Sequence, residues 1–266
     1  MGRFISAVAL YGPKTGPVRE LLAGVQARIA AHLGDRFRPY SLDQVHATLI
    51  ALNAVPGPRT GSIVNEYYLT RQDRAVEMDL PLVMDTLAAR FARPLRVRIG
   101  GWRRDGEVPF TSQGQHLYDR AFSAQGNAFV LVGWPAVSFS GEGGAGREGV
   151  GEGGADREGG AGRLARPLDD LRRDMNAAGL LHKYHARDTD VDNDLHLVVG
   201  HHAGAAAGDV DRVVTVVREL LAADPAEFGI GLSDVKIVAA DSHTLAPPLY
   251  VSDIPADEAI LRTLMD

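Results

Sequence analysis

Cysteine is absent from the 266 residues. Its absence excludes disulfide bonds, thiolate nucleophiles and thiolate metal ligands. No apolar run approaches the roughly 18 residues that a membrane helix needs, and the apolar stretch near the N-terminus is too short for a signal peptide. Lys and Arg number 28 against 34 Asp and Glu, whereas binding to extended duplex nucleic acid requires a basic face. We therefore expect a cytoplasmic, globular, monomeric protein that binds neither a membrane nor a nucleic-acid duplex.

Glycine is concentrated in one segment, residues 141–163, where 11 of 23 residues are Gly and GEGGAGREG is followed ten residues later by GEGGADREG. Such a composition has no apolar area to offset the entropy of ordering glycine. We expect a disordered surface loop, tolerated because closure entropy grows slowly with loop length. The loop divides the chain into 1–140 and 164–266, which we expect to form one bilobal domain.

Strand and helix patterns alternate on both sides of this loop. Strands are predicted at Phe4–Tyr11, Val45–Val55, Leu95–Ile99, Phe129–Trp134, Leu195–Val199, Leu232–Ala239 and Leu249–Val251. Helices are predicted at Val18–Leu33, Leu82–Phe91, Leu164–Leu181, with a break near Gly179, and Val210–Leu221. The order favours an α+β protein of two similar lobes, each a small sheet flanked by helices, around a central cleft. The pattern does not decide whether the sheets are parallel or antiparallel.

Two histidines stand at equivalent points of this pattern, each early in a strand that follows a helix. His46 lies in VHATLIAL and His196 in LHLVVG. Residues i and i+2 of a strand share a face, roughly 7 Å apart, so His46 and Thr48 point the same way, as do His196 and Val198. A histidine among aliphatic residues is unfavourable to bury without a partner or a purpose. A single such residue is most simply a core histidine, but the pairing favours a functional site.

The segment His46-Ala-Thr-Leu resembles the His-x-Thr-hydrophobic motif of the 2H phosphoesterase superfamily, which includes bacterial 2′-5′ RNA ligases and RNA 2′,3′-cyclic phosphodiesterases. The arrangement of elements around both histidines is similar to that family over nearly the whole chain outside the loop. The resemblance implies two lobes that face each other across a cleft, with both histidines on its floor. It also implies His46 and His196 as the catalytic pair and Thr48 as the phosphate-binding residue.

By this resemblance the chain is an enzyme that hydrolyses a 2′,3′-cyclic phosphate, on an RNA end or a nucleotide, to a 2′-phosphate without metal or cofactor. One imidazole takes a proton from water and the other protonates the leaving ribose oxygen. Imidazole suits both roles because its unperturbed pKa lies near neutral pH. The sequence does not assign the two roles to the two histidines.

The second motif departs from the family pattern, which has Thr or Ser where this chain has Val198. Valine cannot donate a hydrogen bond to a phosphate oxygen, and losing such a bond costs roughly 1.5–3 kcal/mol. His201 or His202, just beyond the strand, is an alternative donor. The departure also supports a second hypothesis, a catalytically weak module that binds a nucleotide or a phosphorylated RNA end.

Aromatic residues are sparse, yet a cleft that binds a base needs one or two for stacking. Tyr11, at the end of the first strand, and Tyr250, on a late strand, occupy suitable places, although a core or rim position is the simpler explanation for each. Three arginines are candidates for a local basic patch that the acidic net charge conceals. They are Arg59, Arg71 and Arg74.

Metal binding has weaker support. Asp188, Asp190 and Asp192 follow the first ligand spacings of a calcium loop, but the required Gly and closing Glu are missing. His182 and His185, with His196 or His201, offer imidazoles without a supporting carboxylate pattern. We predict no metal site here, and keep a metal-dependent phosphohydrolase using residues 182–202 as a third hypothesis.

Overall fold

The computed structural model describes residues 3–138 and 164–265. The Gly-rich segment 141–163 lies outside the described residues. The strands are β1 Phe4–Ala9, β2 Phe37–Pro39, β3 Ala47–Ala51, β4 Ala54–Pro56, β5 Ile63–Asn65, β6 Leu95–Ile99, β7 Phe122–Gln125, β8 Ala128–Pro135, β9 Leu195–His202, β10 Ala226–Ile230, β11 Val235–Ala240 and β12 Pro248–Ser252. The helices are α1 Gly16–Leu33, α2 Glu66–Gln72, α3 Leu80–Arg90, α4 Leu117–Arg120, α5 Pro167–Asp174, α6 Ala207–Ala223 and α7 Glu258–Met265. Within the described ranges, no helix combines the length and the apolar character needed to cross a membrane.

Ten strands form one sheet in the order β10-β6-β8-β9-β3-β1-β11-β12, with β2 added to β9 and β7 to β8. Every strand pair in this sheet is antiparallel. The prediction of a mixed α+β fold is confirmed, and the sheet character that the sequence left open is antiparallel. Strands from both sides of the Gly-rich segment alternate along the sheet, so the chain segments 1–140 and 164–266 fold together.

The middle of the sheet is the contact between β3 and β9, where Ala47 pairs with Leu197. We call β3, β1, β11 and β12 the first half-sheet, and β9, β8, β6 and β10 the second half-sheet. Both central residues are fully buried. The two predicted histidine strands are therefore direct neighbours in the sheet.

The helix α1 illustrates how the apolar pattern builds the core. Its buried side chains recur at helical spacing, and Pro17 occupies its first turn, where a missing N–H costs nothing. The buried residues are Val18, Leu22, Val25, Ile29 and Leu33. This apolar stripe packs α1 against α6, β9 and β10, which places a helical layer behind the central strands.

Several predicted elements have different bounds in the structure. The predicted helix 164–181 is shorter in the structure, because α5 begins at Pro167 and ends at Asp174. A 3-10 turn follows and leads to Gly179, whose φ of +74° ends the helical run at the predicted break. The predicted strand 45–55 is divided into β3 and β4, which belong to different sheets. Seven elements were not predicted, namely β2, β5, β7, β10, α2, α4 and α7.

Candidate functional site

A cleft of about 360 Å³ opens over the middle of the sheet. Its lining includes His46 and Thr48 from β3 and its approach, together with His196 and Val198 from β9. The intervening Ala47 and Leu197 are fully buried on the opposite face. Strand alternation thus turns the four residues of the two histidine motifs towards one space.

The register of the two strands fixes how these four residues face one another. Because Ala47 pairs with Leu197 in antiparallel sense, His46 lies across from Val198 and Thr48 lies across from His196. Each histidine is therefore opposite the residue that stands two places after the histidine of the other motif. A ligand held over this point of the sheet has an imidazole on each side.

His46 is oriented by the main chain. Its Nδ1 lies 2.7 Å from the carbonyl oxygen of Gln44, and since a carbonyl only accepts, Nδ1 carries the proton. Nε2 is then the unprotonated nitrogen. Burial is the main cause that lowers the pKa of His46 below its usual value. The hydrogen bond to Gln44 raises this pKa, and the positive charge of Lys14 lowers it. The imidazole is neutral at neutral pH and able to accept a proton at Nε2.

A buried arginine joins the two histidine strands. Arg172, on α5, is 1% exposed and donates to carbonyl oxygens of β3 and of the segment that leads into β9. The acceptors are Leu49 at 3.1 Å, Asp192 at 2.8 Å and Asp194 at 3.0 Å. Leu49 is the residue that the register shift between β1 and β3 leaves without a cross-strand partner. Arg172 therefore bridges β3 and the segment before β9 beside their one paired position, Ala47 and Leu197.

His196 has a different kind of partner. The Nη2 of Arg120, at the end of α4, lies 3.0 Å from His196 Nε2. A guanidinium has only donors, so His196 Nε2 is the acceptor and the ring proton lies on Nδ1. No residue of the described chain hydrogen-bonds to His196 Nδ1. The nitrogen that is free in His196 is thus the opposite one from that in His46.

The Arg120 guanidinium is held by a buried carboxylate. Asp194 accepts from Arg120 Nη2 at 3.0 Å, from the Ser112 hydroxyl at 2.7 Å and from the Trp134 indole N–H at 2.7 Å. The exposed fraction of the side chain is 13% for Arg120 and 4% for Asp194. A buried charge pair with its remaining acceptor sites satisfied has a fixed geometry.

The charges around His196 oppose each other, and burial decides the outcome. Burial lowers the pKa of His196 to about 4, although Asp194 and Asp192 raise it; Arg120 and Arg172 lower it further. The neutral form of His196 is therefore the resting form at neutral pH. His182, beside the same cleft, is likewise neutral: burial lowers its pKa to about 4 while its Nε2 lies 2.7 Å from Asp192.

A β-bulge separates the two later histidines of β9. Phe129 pairs with Gly200 and Val130 with Val198, so no residue of β8 stands opposite Val199 and the alternation reverses. His201 consequently lines the cleft. Gly200, the residue after Val199, must be glycine because its φ is +153° and a Cβ on it would lie 2.6 Å from the Arg38 carbonyl oxygen.

Three of the predicted substrate contacts do not line the cleft. His202 turns away from it and packs against Phe129, with ring centroids 5.5 Å apart. Tyr250, on β12 beyond β11, is also absent from the lining. Tyr11 lies behind the cleft: its ring centroid is 5.7 Å from that of His46 and its hydroxyl donates to the Leu245 carbonyl. A bulge separates His202 from the cleft, and two intervening strands separate Tyr250 from it.

The other predicted polar groups have protein partners. Asp192 pairs with Arg172 and His182, Asp190 with Arg187, and His185 with Asp169. Within residues 3–138 and 164–265, no group of three or more histidine or carboxylate side chains converges as metal ligands. The arginines proposed as a patch are outside the cleft lining. Arg59 pairs with Glu77, Arg71 lies over the ring of Tyr67, and Arg74 lies over that of Tyr68.

Arg120, Arg172 and Asp194 are the important residues that the sequence does not reveal. Arg120 is 76 residues from His196, on a short unpredicted helix. Arg172 lies in a predicted amphipathic helix, where a charged residue is normally exposed. Only Asp194 carries a local signal, since a carboxylate directly before an aliphatic strand is unusual. No protein-family model matches the chain, and a search of the curated proteins found no match.

Proposed function

We propose that the chain is a metal-independent phosphodiesterase that hydrolyses a 2′,3′-cyclic phosphate by paired-histidine chemistry, with the two half-sheets as its two lobes. The observation that carries the proposal is the convergence of His46, Thr48 and His196 on one cleft across a single point of the sheet. Two imidazoles on opposite sides of a small cleft suit an in-line displacement, which needs a proton acceptor on one side and a donor on the other.

The hydrogen bond of His46 to Gln44 supports the role of base for this residue. Its Nδ1–H is engaged with Gln44, so Nε2 takes a proton from the attacking water as the water oxygen bonds to phosphorus. The bond from phosphorus to the leaving ribose oxygen breaks, and that oxygen receives a proton from His196. The Thr48 hydroxyl donates to a non-bridging oxygen as negative charge develops. The 2′-phosphate product follows from the family resemblance.

The test is hydrolysis of a nucleoside 2′,3′-cyclic phosphate in the presence of a chelator, with the 2′- and 3′-monophosphate products resolved. We expect turnover by the wild type and a decrease of about 10²–10⁴-fold in His46→Ala and His196→Ala, the usual contribution of a general acid or base. His32→Ala is the matched control, since within the described residues this histidine hydrogen-bonds only to the Arg28 carbonyl on α1.

Two results would contradict the proposal. Equal rates in the wild type and both active-site variants would remove the two histidines from the chemistry, and loss of wild-type activity in the chelator would favour the metal-dependent hypothesis. The binding-module hypothesis rests on Val198, which brings no hydroxyl to the cleft. Binding of the cyclic phosphate without turnover would support that hypothesis instead.

A further inference from the structure

The contact between Arg120 and His196 has a consequence for the second half of the site. In the described part of the chain, Arg120 is the only cationic side chain that hydrogen-bonds to either cleft imidazole of the proposed pair. It fixes His196 as the tautomer with its proton on Nδ1 and a lone pair on Nε2. A guanidinium held by Asp194, Ser112 and the surrounding core cannot leave this position at low cost.

The remaining cations of the cleft are not available for the same task. Every nitrogen of Arg172 donates to main-chain carbonyls or pairs with Asp192. Lys183 lies 4.6 Å from the ring centroid of Tyr184, on the exposed rim. Val198 offers no hydrogen bond. Opposite Thr48 lies His196, and because its Nε2 is engaged with Arg120, its Nδ1–H is the group of this ring that can donate to a ligand.

We infer that Arg120 is a positioning residue that makes His196 act as a neutral donor through Nδ1–H, in place of the hydroxyl that Val198 lacks. The catalytic part of this inference rests on the proposed function. In the reaction, the leaving ribose oxygen takes the Nδ1 proton, and the electron pair that remains on the ring is stabilised at Nε2 by the Arg120 guanidinium. The ring regains a proton from solvent after the product leaves. A neutral imidazole is an established electrophile in buried sites.

This arrangement predicts an unusual pH dependence. A conventional acid must be protonated before it reacts, which gives a bell-shaped profile of kcat/KM. With His196 neutral throughout, only the base His46 titrates, so kcat/KM rises with pH and then stays level into the mildly alkaline range. The groups that face His196 and set its charge come from four parts of the chain: Arg120 on α4, Arg172 on α5, Tyr184 in the preceding loop, and Asp192 and Asp194 before β9.

The test is an NMR titration of the full-length protein labelled at the histidine ring nitrogens. In the wild type we expect the His196 proton on Nδ1 and a pKa below 6.5. Arg120→Gln keeps a hydrogen-bond donor but removes the charge, and we expect the His196 pKa to rise by about two pH units or more, towards the neutral range. Arg120→Lys keeps a cation and should show a smaller rise. The ring of His46 serves as an internal control and Arg96→Gln, at an exposed pair with Glu227, as the matched variant.

The kinetic arm follows the same variants on the cyclic phosphate. Arg120→Gln should lower kcat about tenfold or more and convert the level profile into a bell, because a His196 that titrates near neutral pH becomes a conventional acid. A wild-type His196 protonated on Nε2, or identical titrations with and without Arg120, would overturn the inference even if the enzyme is active. Absence of wild-type turnover would overturn the proposed function and, with it, the catalytic part of the inference. The titration tests independently of turnover whether Arg120 sets the tautomer and pKa of His196.

Discussion

The two halves of the cleft place a histidine at the same strand position yet give it opposite chemistry. His46 is fixed through Nδ1 by a main-chain carbonyl, and its neighbour on the same face is Thr48. His196 is fixed through Nε2 by a guanidinium, and its neighbour is Val198. The hydrogen bond on the far side of an imidazole thus decides which nitrogen meets the ligand and in which protonation state.

The supports of the two histidines differ as well. The first half uses short-range main-chain geometry, since Gln44 is two residues from His46. The second half uses a side-chain network that joins Asp194, two residues before His196, to three residues that are distant in sequence: Ser112, Arg120 and Trp134. A site of the first kind tolerates remote substitution, whereas a site of the second kind is sensitive to each member of the network.

The two histidines face one cleft because β3 and β9 are held side by side, and Arg172 connects the two strands. Arg172→Met should have the largest effect among these predictions, a loss of about 3–5 kcal/mol in the free energy of unfolding, because it leaves Asp192 as a buried carboxylate without its cation. The carbonyls that Arg172 serves also lose their donor. Equilibrium denaturation monitored by circular dichroism measures the change.

The matched control for this substitution is Arg90→Met, which removes an arginine whose pair with Asp174 is 40% and 46% exposed. Exposed pairs contribute about 0–1 kcal/mol. Equal losses in the two variants would show that Arg172 is not a connection between the half-sheets. Intact stability with altered activity would instead assign Arg172 to the ligand.

Much of the half of the cleft around His46 could be predicted from the sequence, but little of the half around His196. Alternation in VHATLIAL turns His46 and Thr48 to one face and Ala47 and Leu49 to the other, where both are fully buried. The pattern works because one face of the strand is buried and the period is two.

The second half depends on features that a local pattern cannot carry. The bulge at Val199 reverses the alternation, so the sequence could name His201 and His202 but not choose between them. Gly200 marks this bulge in the sequence. A glycine is required there because the backbone of β2 lies close to it, which only the folded chain shows. Arg120 reaches His196 across 76 residues of sequence, a tertiary contact without any periodicity.

A hydroxyl at position 198 would make the two halves more alike. If Arg120 and His196 already provide the missing donor, Val198→Thr should raise kcat/KM on the cyclic phosphate by less than about tenfold, below the ten- to hundredfold value of a new charge-assisted hydrogen bond. In the Arg120→Gln background the same substitution should give the larger gain, because the site then lacks a donor. Steady-state kinetics of the two single variants and the double variant measure this coupling. Val198→Ala is the control for shape, and equal gains in both backgrounds would contradict the interpretation of Arg120 as the substitute.

The smallest effect concerns Lys14, a buried cation that acts on His46 without bonding to it. Its ammonium donates to the Gly12 and Leu42 carbonyls, and burial lowers its own pKa to about 8. Because the positive charge of Lys14 lowers the pKa of His46, Lys14→Met should raise that pKa by less than about one pH unit. The base is then protonated over a wider acidic range, so kcat/KM should fall at pH 6.

Above pH 8 the effect of Lys14→Met should vanish, since the wild-type Lys14 loses its own charge there. Paired pH profiles of kcat/KM, with Lys236→Met as a control at a lysine outside the cleft lining, measure the difference. A constant ratio between wild type and variant at all pH values would mean that Lys14 acts only through the loop it supports. A difference confined to acidic pH would show that each histidine is tuned by its own cation, through space for His46 and by direct contact for His196.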